Sequence, residues 1–157
     1  IARKHPDWDQ EKIIGDPVFD EWMIEQYSET VELFAEFDAH VLWLTTPCLK
    51  SFKRHQIGTW DPARKRRLND YVLPRVVLEQ EGRGTVIDLE AKICPDREFA
   101  TNLFGIEPFR SDGTHFSRMA KIWLGRWLGD EMLSIMANVK DGVRLGVAHA
   151  PGESAGR

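Results

Sequence analysis

Cysteine is scarce in this chain: Cys48 and Cys94 are the only two among 157 residues. No Cys-x-x-Cys or Cys-x-x-His spacing accompanies them, so no metal site is expected, and no other pattern calls for a cofactor. Each cysteine lies beside a proline, in Thr46-Pro47-Cys48 and Cys94-Pro95. On composition alone two fates stay open, a pair of buried small hydrophobes in a reducing compartment or a disulfide outside it. Long apolar runs are missing too, since no stretch approaches the roughly 20 residues that span a bilayer. Nor is there an excess of positive charge: 21 Lys and Arg against 25 Asp and Glu give a formal charge of -4, which leaves no footprint for nucleic acid. The local run Arg64-Lys65-Arg66-Arg67 lies between Asp61 and Asp70 in a helical pattern and reads as a solvated helix face. Ile1-Ala2-Arg3-Lys4-His5 holds neither a starting Met nor a signal peptide. The chain is therefore expected to be cut or trimmed at its beginning, and a membrane-tethered parent stays open.

What is present describes an ordinary globular domain, with 42% hydrophobic and 29% charged residues. Residues 1–16 are polar, broken by Pro6 and Gly15, and read as an irregular lead-in. Asp16-Pro17 is an N-cap followed by a proline at the first helical position, where its missing N–H costs nothing. The helix it opens carries Phe19, Trp22, Met23, Tyr27, Val31, Phe34 and Phe37 at three- and four-residue steps and ends near Asp38. His40 to Thr46 is a short apolar run rich in β-formers, suited to a parallel strand covered on both faces. A long loop over 47–61 follows, where Trp60 is the one aromatic placed to meet a ligand. Asp61-Pro62 repeats the cap and opens a helix to about Gln80, with a bend expected near residue 73 because Pro74 removes a backbone bond. Thr85 to Leu89 reads as a second buried strand, 90–111 as irregular, and 117 to about 136 as a helix whose apolar face carries Met119, Ile122, Trp123, Trp127, Leu128, Met132 and Ile135. Beyond Asn138 the chain is rich in Gly, Ala and Val without a clear period, and 151–157 reads as a frayed tail. Helix, strand, helix, strand, helix is the rhythm of a layered α/β fold. Two strands make a poor parallel sheet, so more are expected before residue 1.

The chemistry concentrates in Arg110-Ser111-Asp112-Gly113-Thr114-His115-Phe116-Ser117. An Asp three residues ahead of a His, on a turn eased by Gly113, can set a carboxylate beside an imidazole. The carboxylate then fixes the tautomer, and the imidazole moves a proton to and from a hydroxyl nucleophile. Taken alone, the same residues also suit a capped turn ahead of a helix. His5, His40, His55 and His149 have no partners at useful spacing and read as surface or loop residues.

Six segments in order carry a wider likeness: Gly15-Asp16-Pro17-Val18-Phe19-Asp20, Val41 to Cys48, Arg67-Leu68-Asn69, Val86-Ile87-Asp88-Leu89, Ile93-Cys94-Pro95 and Arg110 to Ser117. Together they resemble the carboxyl-terminal part of SGNH-type hydrolase domains, most closely those appended to multi-span membrane acyltransferases of actinobacteria. The resemblance covers residues 15–130 and implies a three-layer, flavodoxin-like α/β fold with a parallel sheet, of which 17–137 is the later part and 138–157 a tail. It implies that Asp112 orients the imidazole, that His115 is the general base, and that Cys48 bonds Cys94 in an extracytoplasmic domain. The substrate class it implies is an acylated carbohydrate or another ester, with no nucleic acid partner. The family's Gly-Asp-Ser nucleophile block and its Gly and Asn oxyanion donors are absent here. Gly15-Asp16-Pro17 has proline in the serine's place and opens a helix. Ser28, Ser51, Ser111, Ser117, Ser134 and Ser154 lack a strand-to-turn setting, and Asn69, inside a helix, reads as structural. Two functions follow as expectations: a serine ester hydrolase or O-acyltransferase domain whose nucleophile is missing from this chain, or an SGNH-like module that binds glycan or acts as a scaffold. The chain by itself is expected to be inactive, and nothing in it signals an oligomeric state.

Overall fold

Asp16 and Asp61 act as their places before a proline predict. The computed structural model describes residues 3, 5–50, 61–80 and 82–140, and the backbone of 147–148. Asp16 accepts from the Val18 amide at 2.9 Å and opens α1, Pro17–Ala35. Asp61 accepts from the Ala63 amide at 2.8 Å and opens α2, Pro62–Arg67. Between them β1, Val41–Leu44, forms from the apolar run. The irregularity expected near residue 73 is a π-helical turn, Leu68–Val72, in which the Leu73 amide reaches back to the Leu68 carbonyl. Such a turn absorbs the bond that Pro74 cannot make, and α3, Leu73–Glu79, continues from it. β2, Gly84–Ile87, follows.

Asp88 then accepts from the Ala91 amide and caps a short helix, α4, Leu89–Ile93, in a stretch expected to be irregular. α5, Arg118–Lys140, runs four residues beyond its expected end. β3, Val147–Ala148, lies in the tail beyond Asn138, where no clear period is present. β1 pairs with β2 and β2 with β3, all parallel, in the order β1-β2-β3. The protein is thus a mixed α/β structure with a parallel sheet, as the alternation of elements implied.

One face of the sheet is covered. Val41 and Trp43, paired with Gly84 and Val86, turn toward a core made by Ile24 and Val31 of α1 and by Val72, Leu73, Val76 and Val77 of the π turn and α3. Tyr27 stacks on Trp43 with ring centroids 4.9 Å apart. The opposite face is only partly covered among the described residues, since Leu44 is 43% exposed. That differs from the expectation of cover on both sides. On that face His40 Nε2 meets the Thr85 hydroxyl at 2.8 Å, tying the entry of β1 to β2. His40 therefore has a structural partner, and its burial lowers its pKa.

A second core forms around the cysteines. Cys48 and Cys94 are joined in a buried disulfide, packed with Leu89, Ile93, Phe109 and Ala120. Trp123 and Trp127 of α5 pack against this cluster, whereas Met119, Ile122 and Met132 are 58%, 43% and 40% exposed. The buried stripe of α5 is thus rotated from the expected one, because the small Ala120 lets the helix approach Phe109 and the disulfide. Phe34 and Phe37, expected on the buried face of α1, are exposed.

The disulfide closes a loop with a sequence separation of 46. Constraining a chain of that length in the unfolded state stabilises the fold by roughly 4 kcal/mol. Urea unfolding with and without reductant should show a loss of about that size; an unchanged midpoint would mean that the bond is incidental.

Candidate active site

The segment 109–117 folds as a small loop closed on itself. The Ser117 amide donates to the Phe109 carbonyl at 2.9 Å, and Arg110 and Phe116 form an antiparallel bridge. At its tip Gly113 takes a φ of 79°, and a Cβ there would run into the Lys50 side chain. Only glycine satisfies both conditions. The loop tip is tied to the segment leaving β1 through the Lys50 amide, which donates to the Gly113 carbonyl at 3.2 Å.

Asp112 and His115 are brought together here. Asp112 Oδ2 and His115 Nδ1 are 2.5 Å apart. Asp112 Oδ1 accepts from the amides of Thr114 and His115 at 2.9 and 2.7 Å. An ionised carboxylate can only accept, so Nδ1 carries the proton of the shared bond, and in the neutral ring Nε2 is left with its lone pair outward. The His115 side chain is 79% exposed, and no described residue bonds Nε2. The bond from the His115 ring, and after it the two amides, hold the Asp112 carboxyl well below its usual range. The capped-turn reading and the dyad reading therefore describe one arrangement, because Oδ1 makes the cap and Oδ2 holds the ring.

No described hydroxyl stands against the imidazole. Ser117 Oγ is taken up in capping α5, accepting from the Ala120 amide at 3.3 Å, and Ser28 Oγ is buried in α1. Neither Asp112 nor His115 lines the described cavities, of about 410, 1110 and 280 Å³. Trp60, His55, Ser51, His149 and Ser154 lie outside the described residues.

A polar network at the carboxyl ends of β1 and β2 was not foreseen as a unit. Asn69, 5% exposed, accepts from the Thr46 amide at 2.9 Å and donates to the Thr46 carbonyl at 2.9 Å and to Glu90 at 2.8 Å. Its structural role holds, but the π turn that carries it brings it to distant partners, Thr46 after β1 and Glu90 of α4. Lys65 pairs with the buried Glu90, and the Thr45 hydroxyl donates to Asp88 at 2.9 Å while accepting from the Glu90 amide at 2.8 Å. Arg67 donates to Asp20, which is fully buried, at 2.7 Å, and its guanidinium lies 3.4 Å from the centre of the Tyr71 ring. The basic run is therefore divided, with Lys65 and Arg67 facing buried carboxylates and Arg66 facing solvent. None of the buried side-chain polar atoms of this network lacks a hydrogen-bond partner, and the cavity of about 280 Å³ is lined in part by its Thr45, Asn69, Asp88 and Glu90. The described residues contain no cluster of side chains able to hold a metal ion.

No protein-family model, no curated protein and no solved structure matches the chain.

The depressed Asp112 pKa gives a pH signature. The folded value lies below the unfolded one of about 3.9, so the carboxylate's contribution to the turn is fully present above that pH and fades as pH falls through the folded value. The Asp112 carboxyl carbon should therefore show no carboxyl protonation step from neutral pH down to about 4 and titrate only below it. A carboxyl protonation step centred above pH 4 would contradict the acceptance of three hydrogen bonds by Asp112.

Proposed function

We propose that this chain is the later part of an SGNH-type serine ester hydrolase or O-acyltransferase domain, acting on acyl esters of cell-envelope glycans, with Asp112 and His115 as its proton relay. The observation that carries this reading is the 2.5 Å contact of Asp112 Oδ2 with His115 Nδ1, which leaves Nε2 outward. In the complete site a serine hydroxyl attacks the ester carbonyl while Nε2 takes its proton, and the resulting imidazolium is stabilised by Asp112. The tetrahedral oxyanion collapses, the alcohol leaves with the proton from Nε2, and the acyl group stays on the serine. Water or a sugar hydroxyl, deprotonated in turn by Nε2, then takes the acyl group. The buried Cys48–Cys94 bond supports an extracytoplasmic placement, where disulfides persist. No described helix is long and apolar enough to cross a membrane.

A second reading, a glycan-binding or scaffolding module on the same fold, is favoured by a separate observation. His115 faces no described hydroxyl and lines no described cavity.

Aryl acetate hydrolysis separates the two. A polypeptide that joins this chain to a serine nucleophile should lose roughly 10²-fold or more of its rate on His115→Ala. The 157-residue chain itself should take up no fluorophosphonate. Equal rates for the parent and the variant would remove His115 from any mechanism and leave the binding module.

A further inference from the structure

Arg110 is the residue near the relay that the proposed chemistry leaves unused, and it is oddly placed for a cation. Its side chain is 1% exposed, and no described carboxylate lies within ion-pairing distance. A buried charge without a counter-charge is unfavourable, and burial pushes the guanidinium's pKa below its usual value. Nε is buried without a partner, and what compensation there is comes through the two terminal nitrogens and a ring. One terminal nitrogen donates to the backbone carbonyl of Cys48, the other reaches Cys48 Sγ at 3.3 Å, and the guanidinium lies 4.6 Å from the centre of the Phe99 ring. The Arg110 backbone meanwhile closes the relay's own loop, accepting from the Gly113 amide at 3.3 Å and bridging Phe116.

Arg110 thus belongs to the loop by its main chain and to the disulfide by its side chain. The Cys48–Lys50 segment is fixed at one end by Cys94 and meets the loop twice, through the Arg110 fork and through Lys50 on Gly113. We propose that Arg110 is a positioning residue of the Asp112–His115 pair: its forked guanidinium holds the disulfide segment against the 110–116 loop, and so holds Asp112 where it can accept the His115 ring. This deepens the proton-relay reading and rests on it. A lysine cannot reproduce the fork, because it offers one compact donor group in place of two set in a plane.

The readout is the titration of the Asp112 carboxyl carbon by NMR in the oxidised 157-residue chain. That value reports contact with His115 directly, whereas a merely structural role for Arg110 would lower the melting temperature and leave it in place. Arg110→Met should raise the Asp112 midpoint by about one pH unit toward the ordinary carboxylate value, with a native near-ultraviolet circular dichroism spectrum. Arg110→Lys should give a smaller rise, and it decides the matter if the methionine variant does not fold. A wild-type Asp112 midpoint in the folded variants overturns the inference. His115→Ala is the separate control. If it leaves the Asp112 midpoint unmoved, the pair itself does not exist and the relay reading fails; if it raises the midpoint while the Arg110 variants do not, only the positioning role fails.

Discussion

One carboxylate accepts three hydrogen bonds, and the candidate site exists because of that arrangement. Asp112 takes two amides with Oδ1 and the His115 ring with Oδ2. The same side chain therefore builds the turn and orients the imidazole. An exposed Asp–His pair on a mobile loop would contribute little, since two side chains would have to be ordered for one screened contact. Here the backbone amides have already fixed the carboxylate before the imidazole meets it.

That local order depends on a longer chain of contacts. Gly113 turns the backbone through a conformation other residues rarely adopt, and Lys50 and Arg110 fasten the loop to the segment that leaves β1. The disulfide joins that segment to the end of α4, and α4 starts at Asp88, directly after β2. The loop is thereby referred back to the parallel sheet through two covalently joined connections. The carboxyl ends of parallel strands are where α/β proteins place their chemistry. In this protein the strand ends carry the network of Lys65, Glu90, Asn69 and Thr45. The Asp112–His115 pair stands one loop further out.

Much of this was legible because it is local. Asp16-Pro17 and Asp61-Pro62 announce helices through the residues that follow them at once, and the Asp112–His115 pair is separated by only three positions. The short apolar runs at β1 and β2 carry their own signal. What could not be read joins residues far apart: Arg110 with Cys48 across 62 positions, His40 with Thr85 across 45 and Lys65 with Glu90 across 25. Such contacts leave no period in a sequence. Lys65 and Arg67 looked like a solvated face because nothing nearby reveals that Glu90 and Asp20 are buried opposite them. α4 and β3, of five and two residues, are too short to show any periodicity. The buried stripe of α5 shifted because Ala120, the least conspicuous apolar residue there, is fully buried against Phe109 and the disulfide. The pairing of the cysteines, left open by composition, is decided by the fold, which brings them together across 46 positions.

The Asp112–His115 pair stands or falls with the protonation pattern of one ring. If Asp112 accepts from Nδ1, the neutral imidazole of His115 must carry its proton on Nδ1 and present a bare Nε2 to solvent, the less common tautomer of a free histidine. Long-range nitrogen–proton NMR correlation of the His115 ring at a pH where it is neutral reads this directly. Predominant Nδ1–H, with Nε2 at the chemical shift of an unprotonated nitrogen, is the predicted result. Predominant Nε2–H would contradict it, because that ring could neither donate to Asp112 nor take a proton from a nucleophile.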